Sequence, residues 1–197
     1  MTEPIISAPD WRHRLVRPAA ERVAQWLVRL HISANTLTVT GFLIVVGAAV
    51  LIAVQESFWA GIVMLIGSLL DGVDGAVARL TGRANRFGAM LDSVLDRLSE
   101  GVVLVALVYV TSADGRPGVA VLAGVTLLFS LMVSYARARA EGLGISCSEG
   151  YFTRVERVIV LALGLLTGYI IVALAAVAAL SMLTFLQRLY TVWRKAG

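Results

Sequence analysis

Cysteine is nearly absent: Cys147 stands alone among 197 residues, so no disulfide can form within the chain and no paired-cysteine metal site can be assembled. Charge is scarce too. Asp, Glu, Lys and Arg make up 15% of the chain while 58% is hydrophobic, whereas a soluble domain averages about a quarter charged residues. The Walker A phosphate loop and the HExxH zinc helix are both missing. No secretory signal is visible, because the N-terminal stretch mixes charged with apolar side chains and holds no continuous apolar region. The formal net charge of +4 calls for no nucleic-acid partner.

What the chain has instead is long uncharged runs. Residues 36–54, 58–70, 101–110, 118–135 and 158–187 contain no Asp, Glu, Lys or Arg, and the mean hydropathy is +0.83. About 20 apolar residues cross the hydrocarbon core of a bilayer. The expected fold is therefore an all-α integral membrane protein, with helices at 36–54, 58–80, 88–110 and 119–141. The last run would make about 45 Å of helix, too long for one crossing. Leu166-Thr167-Gly168 is the natural break, giving a fifth helix entered from about Phe152 and a sixth ending near Trp193. Ser33-Ala34-Asn35-Thr36 supplies N-cap chemistry for the first span. Ahead of it, residues 1–10 read as a polar tail. In 11–30, apolar Leu15, Val23, Trp26, Leu27 and Leu30 alternate with Arg12, Arg14, Arg17, Arg22 and Arg29. That pattern predicts an N-terminal amphipathic juxtamembrane helix, with Pro18 at its start or at a break. The chain divides into an interfacial segment, 1–35, and a six-helix membrane domain, 36–197.

Charge placement sets the topology. With six transmembrane helices and both termini cytoplasmic, every Lys and Arg except Arg116 falls on inner segments or inner helix ends, as the positive-inside rule requires. Five spans would move Arg188, Arg194 and Lys195 outside. A multi-pass protein of the cell membrane follows, with Tyr135 and Trp193 as interfacial anchors. Arg139, Arg157, Arg194 and Lys195 read as topology markers, and Cys147, His13 and His31 as bystanders.

Four aspartates sit where a bilayer does not tolerate them. Asp71 lies about 13 Å along the second helix from its cytoplasmic end, and Asp96 about 12 Å beyond Gly88 in the third. A bare carboxylate at a helix centre costs about 2.5–3.5 kcal/mol on insertion scales. Asp71 and Asp74 are spaced i,i+3 and Asp92 and Asp96 i,i+4, so each pair shares one helix face. The short loop at 81–86 makes the two helices antiparallel neighbours whose acidic faces can meet. Hard divalent cations with oxygen ligands offset such a cluster. Two of them can clamp the attacking and leaving oxygens of a phosphoryl-group transfer. Small Gly72, Gly75, Ala76, Ala78, Gly88 and Ala89 let the backbones approach, and Arg79 is placed to meet a phosphate. Asp71-Gly-Val-Asp74-Gly lacks the alternating ligands of an EF-hand.

The segment Asp71-Gly-Val-Asp74-Gly75-Ala-Val-Ala78-Arg79, then eight residues, then Gly88-Ala-Met-Leu-Asp92-Ser-Val-Leu-Asp96 resembles the full signature of the CDP-alcohol phosphotransferase family. The resemblance implies transfer of a phosphatidyl-type group from a CDP-activated lipid, CDP-diacylglycerol or an ether analogue, to a small alcohol with release of CMP. It implies two divalent ions, Mg2+ or Mn2+, held by Asp71, Asp74, Asp92 and Asp96, with Asp96 also the catalytic base. It carries the CDP-lipid contacts onto Ser33, Ala34, Asn35, Thr36, Gly75, Arg79 and Asn85, the family having Pro where Ala34 stands. It also implies a homodimer whose active site faces the cytoplasm.

Three further stretches, around Arg137, Arg154 and Arg188, are similar to the phosphatidylinositol phosphate synthase branch of that family and to its archaeal ether-lipid counterparts. The likeness implies that these arginines bind the phosphate of inositol phosphate. Thr153 and Val155 depart from the Glu and Pro common there. The same chemistry with glycerol 3-phosphate or another alcohol shares the aspartate signature. A cation or proton transporter is the alternative from another class, but it predicts acids spread through the membrane depth or inverted repeats.

Overall fold

Cap chemistry divides the uncharged runs into helices much as the pattern predicts. The computed structural model describes residues 22–82, 85–147, 150 and 152–196. The polar tail at 1–10, most of the amphipathic stretch with Pro18, and the loop residue Arg83 lie outside the described residues. Among the described residues, six helices follow a short helical stretch at 22–29. They are α1 (Ala34–Ala53), α2 (Ser57–Leu80), α3 (Arg86–Ala113), α4 (Pro117–Gly142), α5 (Arg154–Thr167) and α6 (Ile170–Ala196). Ser33 caps α1, its hydroxyl accepting from the Thr36 amide at 3.1 Å. Asn85 caps α3, accepting from the Gly88 amide at 2.7 Å. Gly168 adopts φ 79° and separates α5 from α6, because only a residue tolerant of the left-handed region ends a helix so sharply.

Four of these helices, α1, α2, α4 and α6, are long and apolar enough to cross a membrane. The other two depart from the uniform spans expected. α3 is long enough but carries Arg86, Asp92, Asp96, Arg97 and Glu100. α5 has 14 residues, about 21 Å of helix, less than the hydrocarbon thickness of about 30 Å.

The helices form a ring in the order α1, α2, α5, α6, α4, α3, each packed on its two neighbours. At one end the ring is filled by apolar side chains: Val45 and Ile52 of α1, Met64 of α2, Val103 and Leu104 of α3, Leu161 of α5, and Leu174 and Val177 of α6. The acids occupy the other end. Large apolar residues such as Leu43, Leu69, Leu128 and Leu183 face outward and are more than half exposed. Such a surface is stable against lipid and not against water. The 22–29 stretch buries Ala24 and Leu27 against Leu37, Ala76 and Val77 while Val23, Trp26 and Leu30 stay exposed. One face therefore docks on the bundle while an apolar edge stays exposed.

α1 and α2 approach through glycine. A Cβ on Gly67 would lie 2.7 Å from the Val45 side chain and 2.9 Å from the Gly41 carbonyl, so the helix contact leaves no room for any other residue. Gly67→Leu should therefore destabilise the fold by about 1–3 kcal/mol through overpacking. Gly47→Leu, at a position with nothing within 4 Å, should not. Thermal unfolding of the two variants in the same detergent distinguishes them, and equal midpoints would refute the packing argument.

Candidate metal centre and phosphate-transfer site

α2 and α3 are not the packed neighbours that the short loop between them predicts, since α1 lies between them in the ring; their acidic faces meet across its interior. Carboxylate oxygens of Asp71, Asp74 and Asp92 all lie within 4.8 Å of one another. Asp71 and Asp74 are 9% and 7% exposed, and Asp92 is half-buried. Three hard oxygen donors converging at this spacing suit magnesium or manganese and not a soft metal. Asp96 stands beside the trio. Its buried Oδ1 pairs with a terminal nitrogen of the Arg154 guanidinium. The four expected aspartates are thus gathered as a group of three plus a neighbour.

Asp74 is oriented from α1. The Thr38 hydroxyl lies 2.5 Å from Asp74 Oδ2 and 3.0 Å from the Ala34 carbonyl. A hydroxyl has one proton, and the carboxylate is the stronger acceptor. Thr38 is buried at 3% exposure, so its donation fixes the orientation of the carboxylate. Sequence reasoning ends at Thr36 and misses this residue. The signal that could find it is its place three residues after Asn35, on the same face of α1.

A cavity of about 220 Å³ opens against this cluster. It is lined by Ala34, Asn35, Gly75, Arg79 and Asn85 together with Asp74 and Asp92. Five of the seven residues expected to meet a CDP-lipid therefore share one wall with two metal candidates. Ser33 lines an adjoining cavity of about 440 Å³, while Thr36 is exposed and engaged in the helix cap. Arg79 folds back over Gly75, where a Cβ would sit 3.4 Å from its terminal nitrogen. A Cβ on Gly88 would lie 3.1 Å from Asn35 Oδ1. The two glycines keep this floor open, and the first turn of α3 lines it through Gly88 and Ala89.

The three candidate acceptor arginines differ in their surroundings. Arg154, the first residue of α5, reaches Asp71 Oδ2 at 2.5 Å as well as Asp96. Arg137 is half-exposed and pairs with Glu141 on its own helix at 2.8 Å. Arg188 is 4% exposed and donates to the Val133 carbonyl at 2.5 Å. Arg157, expected to mark topology only, is 1% exposed. It forks onto Glu100 at 2.6 and 2.9 Å, so that expectation is corrected: the side chain is an internal cross-link. Sequence reasoning misses Glu100 as well, though it extends the 92, 96 acidic stripe by one more turn.

Thr38→Val keeps the shape but removes the proton donor to Asp74. It should weaken divalent-cation binding by about 10–100-fold, and Asp74→Asn should abolish it. Manganese titration followed by electron paramagnetic resonance measures both. Unchanged affinity in Thr38→Val would exclude the orienting role.

Similar proteins share this fold. The family model described as CDP-alcohol phosphatidyltransferase matches residues 31–193. The archaetidylinositol phosphate synthase of Methanothermobacter thermautotrophicus is 38% identical, the match covering 92% of this chain and 90% of that one. The phosphatidylinositol phosphate synthase of Corynebacterium glutamicum is 36% identical over 86% of this chain and 81% of its own. The crystal structure of the Mycobacterium tuberculosis phosphatidylinositol phosphate synthase with CDP-DAG bound superposes with a TM-score of 0.83 at 30% identity, covering 90% of this chain and 95% of that one. Another structure of that enzyme is in complex with manganese and citrate, with a TM-score of 0.83 at 31% identity over 90% of each chain. This chain is a membrane transferase of phospholipid synthesis and belongs to the CDP-alcohol phosphatidyltransferase family.

Proposed function

We propose that the protein transfers a phosphatidyl-type group from CDP-diacylglycerol or its ether analogue to inositol phosphate, releasing CMP. The observation that carries this reading is the two-sidedness of the aspartate cluster. Asp74 and Asp92 border the cavity of Asn35, Arg79 and Asn85, whereas Asp71 and Asp96 meet Arg154. An activated nucleotide on one side and an anionic acceptor on the other is the arrangement a direct displacement needs. The names borne by the relatives, archaetidylinositol phosphate and phosphatidylinositol phosphate synthases, support inositol phosphate over glycerol 3-phosphate. Acids gathered at one end of the bundle, beside an arginine, argue against a transporter.

Asp71, Asp74, Asp92 and Asp96 would hold two divalent ions, which when bound neutralise the pyrophosphate and stabilise departing CMP. Arg79 and the amide ends of α3 orient the diphosphate. Arg154, with Arg137 and Arg188, holds the acceptor phosphate. Asp96, which stands beside Arg154, takes the proton of the acceptor hydroxyl. That oxygen attacks the lipid phosphorus, the bond from this phosphorus to the CMP oxygen breaks, and the electron pair leaves with CMP.

The same reading places residues 36–197 in the cell membrane as a homodimer with six crossings per chain and the site facing the cytoplasm, 1–35 lying at the interface. The shortness of α5 supports it. Its first residue meets Asp71 and Asp96, which lie about 13–15 Å from the ends of α2 and α3. α5 therefore starts that deep, and its remaining 21 Å or so reach the far side.

Arg154→Ala should raise the KM for inositol phosphate by about ten- to a hundredfold through loss of a charge-assisted bond, with little change in the KM for CDP-lipid. Free inositol should be a poor substrate of the unaltered protein. If glycerol 3-phosphate or free inositol reacts faster than inositol phosphate, the acceptor assignment is wrong while the reaction class stands. For topology, Glu56→Cys and Asp114→Cys should react with an impermeant thiol reagent on intact cells and Arg83→Cys should not, since native Cys147 is buried. Labelling at position 83 would invert the orientation.

A further inference from the structure

Arg154 is poorly held by its own contacts. One terminal nitrogen serves both Asp71 and Asp96, and its buried Nε has no hydrogen-bond partner. A guanidinium fixed at one corner can pivot, so what sets its position must be the helix that carries it. α5 begins with Arg154 and carries Arg157 within the same turn. Two cations in the first turn oppose the helix dipole, and the acid of that turn, Glu156, is engaged in capping Thr153, so the arginines draw on anions of other helices.

Those anions come from α3 in two layers. Asp96 and Glu100 are spaced i,i+4 on α3, and Arg154 and Arg157 i,i+3 on α5, so one face of each helix meets the other at successive turns. α3 and α5 are not adjacent in the helix ring, and long side chains bridge the distance between them. The inner layer is the rigid one. Arg157 is 1% exposed and Glu100 5%, and both oxygens of Glu100 are engaged, by Nε at 2.6 Å and by the second nitrogen at 2.9 Å. A two-point fork fixes the plane of the guanidinium, and through it the depth and rotation of the first turn of α5.

We propose that Glu100 and Arg157 are a positioning pair: by locking α5 to α3 one turn beyond the site, they hold Arg154 between Asp71 and Asp96 and so set the affinity for the phosphorylated acceptor. The proposal rests on the reading of Arg154 as an acceptor ligand. Neither member of the pair is placed to touch substrate. Glu100 continues the acidic stripe but lies outside the three-carboxylate group.

Burying a pair of charges is seldom required for stability alone, since an apolar pair of similar volume often serves as well or better. That separates positioning from packing. Glu100→Gln and Arg157→Gln should each raise the acceptor KM by about tenfold or more, leave the CDP-lipid KM nearly unchanged, and lower the thermal midpoint. The double variant Glu100→Leu/Arg157→Met should recover the midpoint while its acceptor KM stays raised. Should either single variant fail to fold, the double variant alone decides. Recovery of both stability and acceptor KM in the double variant would overturn the proposal, as would a parallel rise of both KM values. Arg154→Ala, measured alongside, separates the two levels. If it leaves the acceptor KM unchanged, the reading of Arg154 fails and the proposal with it. If it raises that KM and the pair variants do not, only the positioning role is lost.

Discussion

Carboxylates that converge inside a bundle too dry to solvate them impose the constraint from which the rest of the site follows. Asp71, Asp74 and Asp92 present oxygens within 4.8 Å of one another, and like charges at that distance repel strongly where the dielectric is low. The chain supplies three kinds of partner. Thr38 donates to Asp74, Arg154 meets Asp71 and Asp96, and the remaining oxygens face one another as hard donors for cations. Compensation of this sort binds elements together. α1 is committed to α2 through Thr38, and α5 to α2 and α3 through Arg154. The acids therefore organise the end of the ring that the apolar core does not reach.

That core does the opposite work at the other end. Val45, Ile52, Met64, Leu104, Leu161 and Leu174 fill the ring without a polar side chain among them. Small residues bring backbones together where helices cross, as Gly41 and Gly67 do. In a bilayer lipid tails are as apolar as Leu, so close packing, and not exclusion of water, holds such helices. A tightly packed apolar end lets the other end keep an open cavity of about 220 Å³ without the helices collapsing on it.

Much of this is legible in the sequence, for reasons that can be named. Helix ends follow Ser33, Asn85 and Gly168 because capping is local chemistry. The aspartates are legible because a charge is conspicuous in an apolar run, and helix periodicity alone puts residues spaced i,i+3 and i,i+4 on one face. The rest depends on tertiary contact. Thr38 and Asp74 are 36 residues apart, Arg157 and Glu100 are 57 apart, and Arg154 and Asp71 are 83 apart. Arg157 resembles a topology marker because composition records that a charge lies near a helix end and not which way it points. The depth at which α5 begins escapes the sequence for a related reason. Hydropathy reports which residues tolerate lipid, and the depth at which a helix begins is set by what its first side chain must reach.

The division of the site between the two halves of the chain has a chemical consequence. Everything bordering the cavity assigned to the nucleotide comes from α1, α2 and α3 or their caps. The arginines assigned to the acceptor, Arg137, Arg154 and Arg188, come from α4, α5 and α6. The two sets meet at the carboxylates, where Arg154 joins Asp71 and Asp96. Activation of the donor is thus encoded in one compact stretch with fixed spacing, since metals and pyrophosphate tolerate little variation in geometry. In the proposed reading the acceptor is held by side chains from separate helices, of which Arg137 pairs with Glu141 and Arg188 with the Val133 carbonyl, both partners lying on α4. A fold built this way can keep its reaction while its alcohol varies. For the same reason the aspartate signature identifies the chemistry, whereas the acceptor has to be argued from how α5 is held against α3.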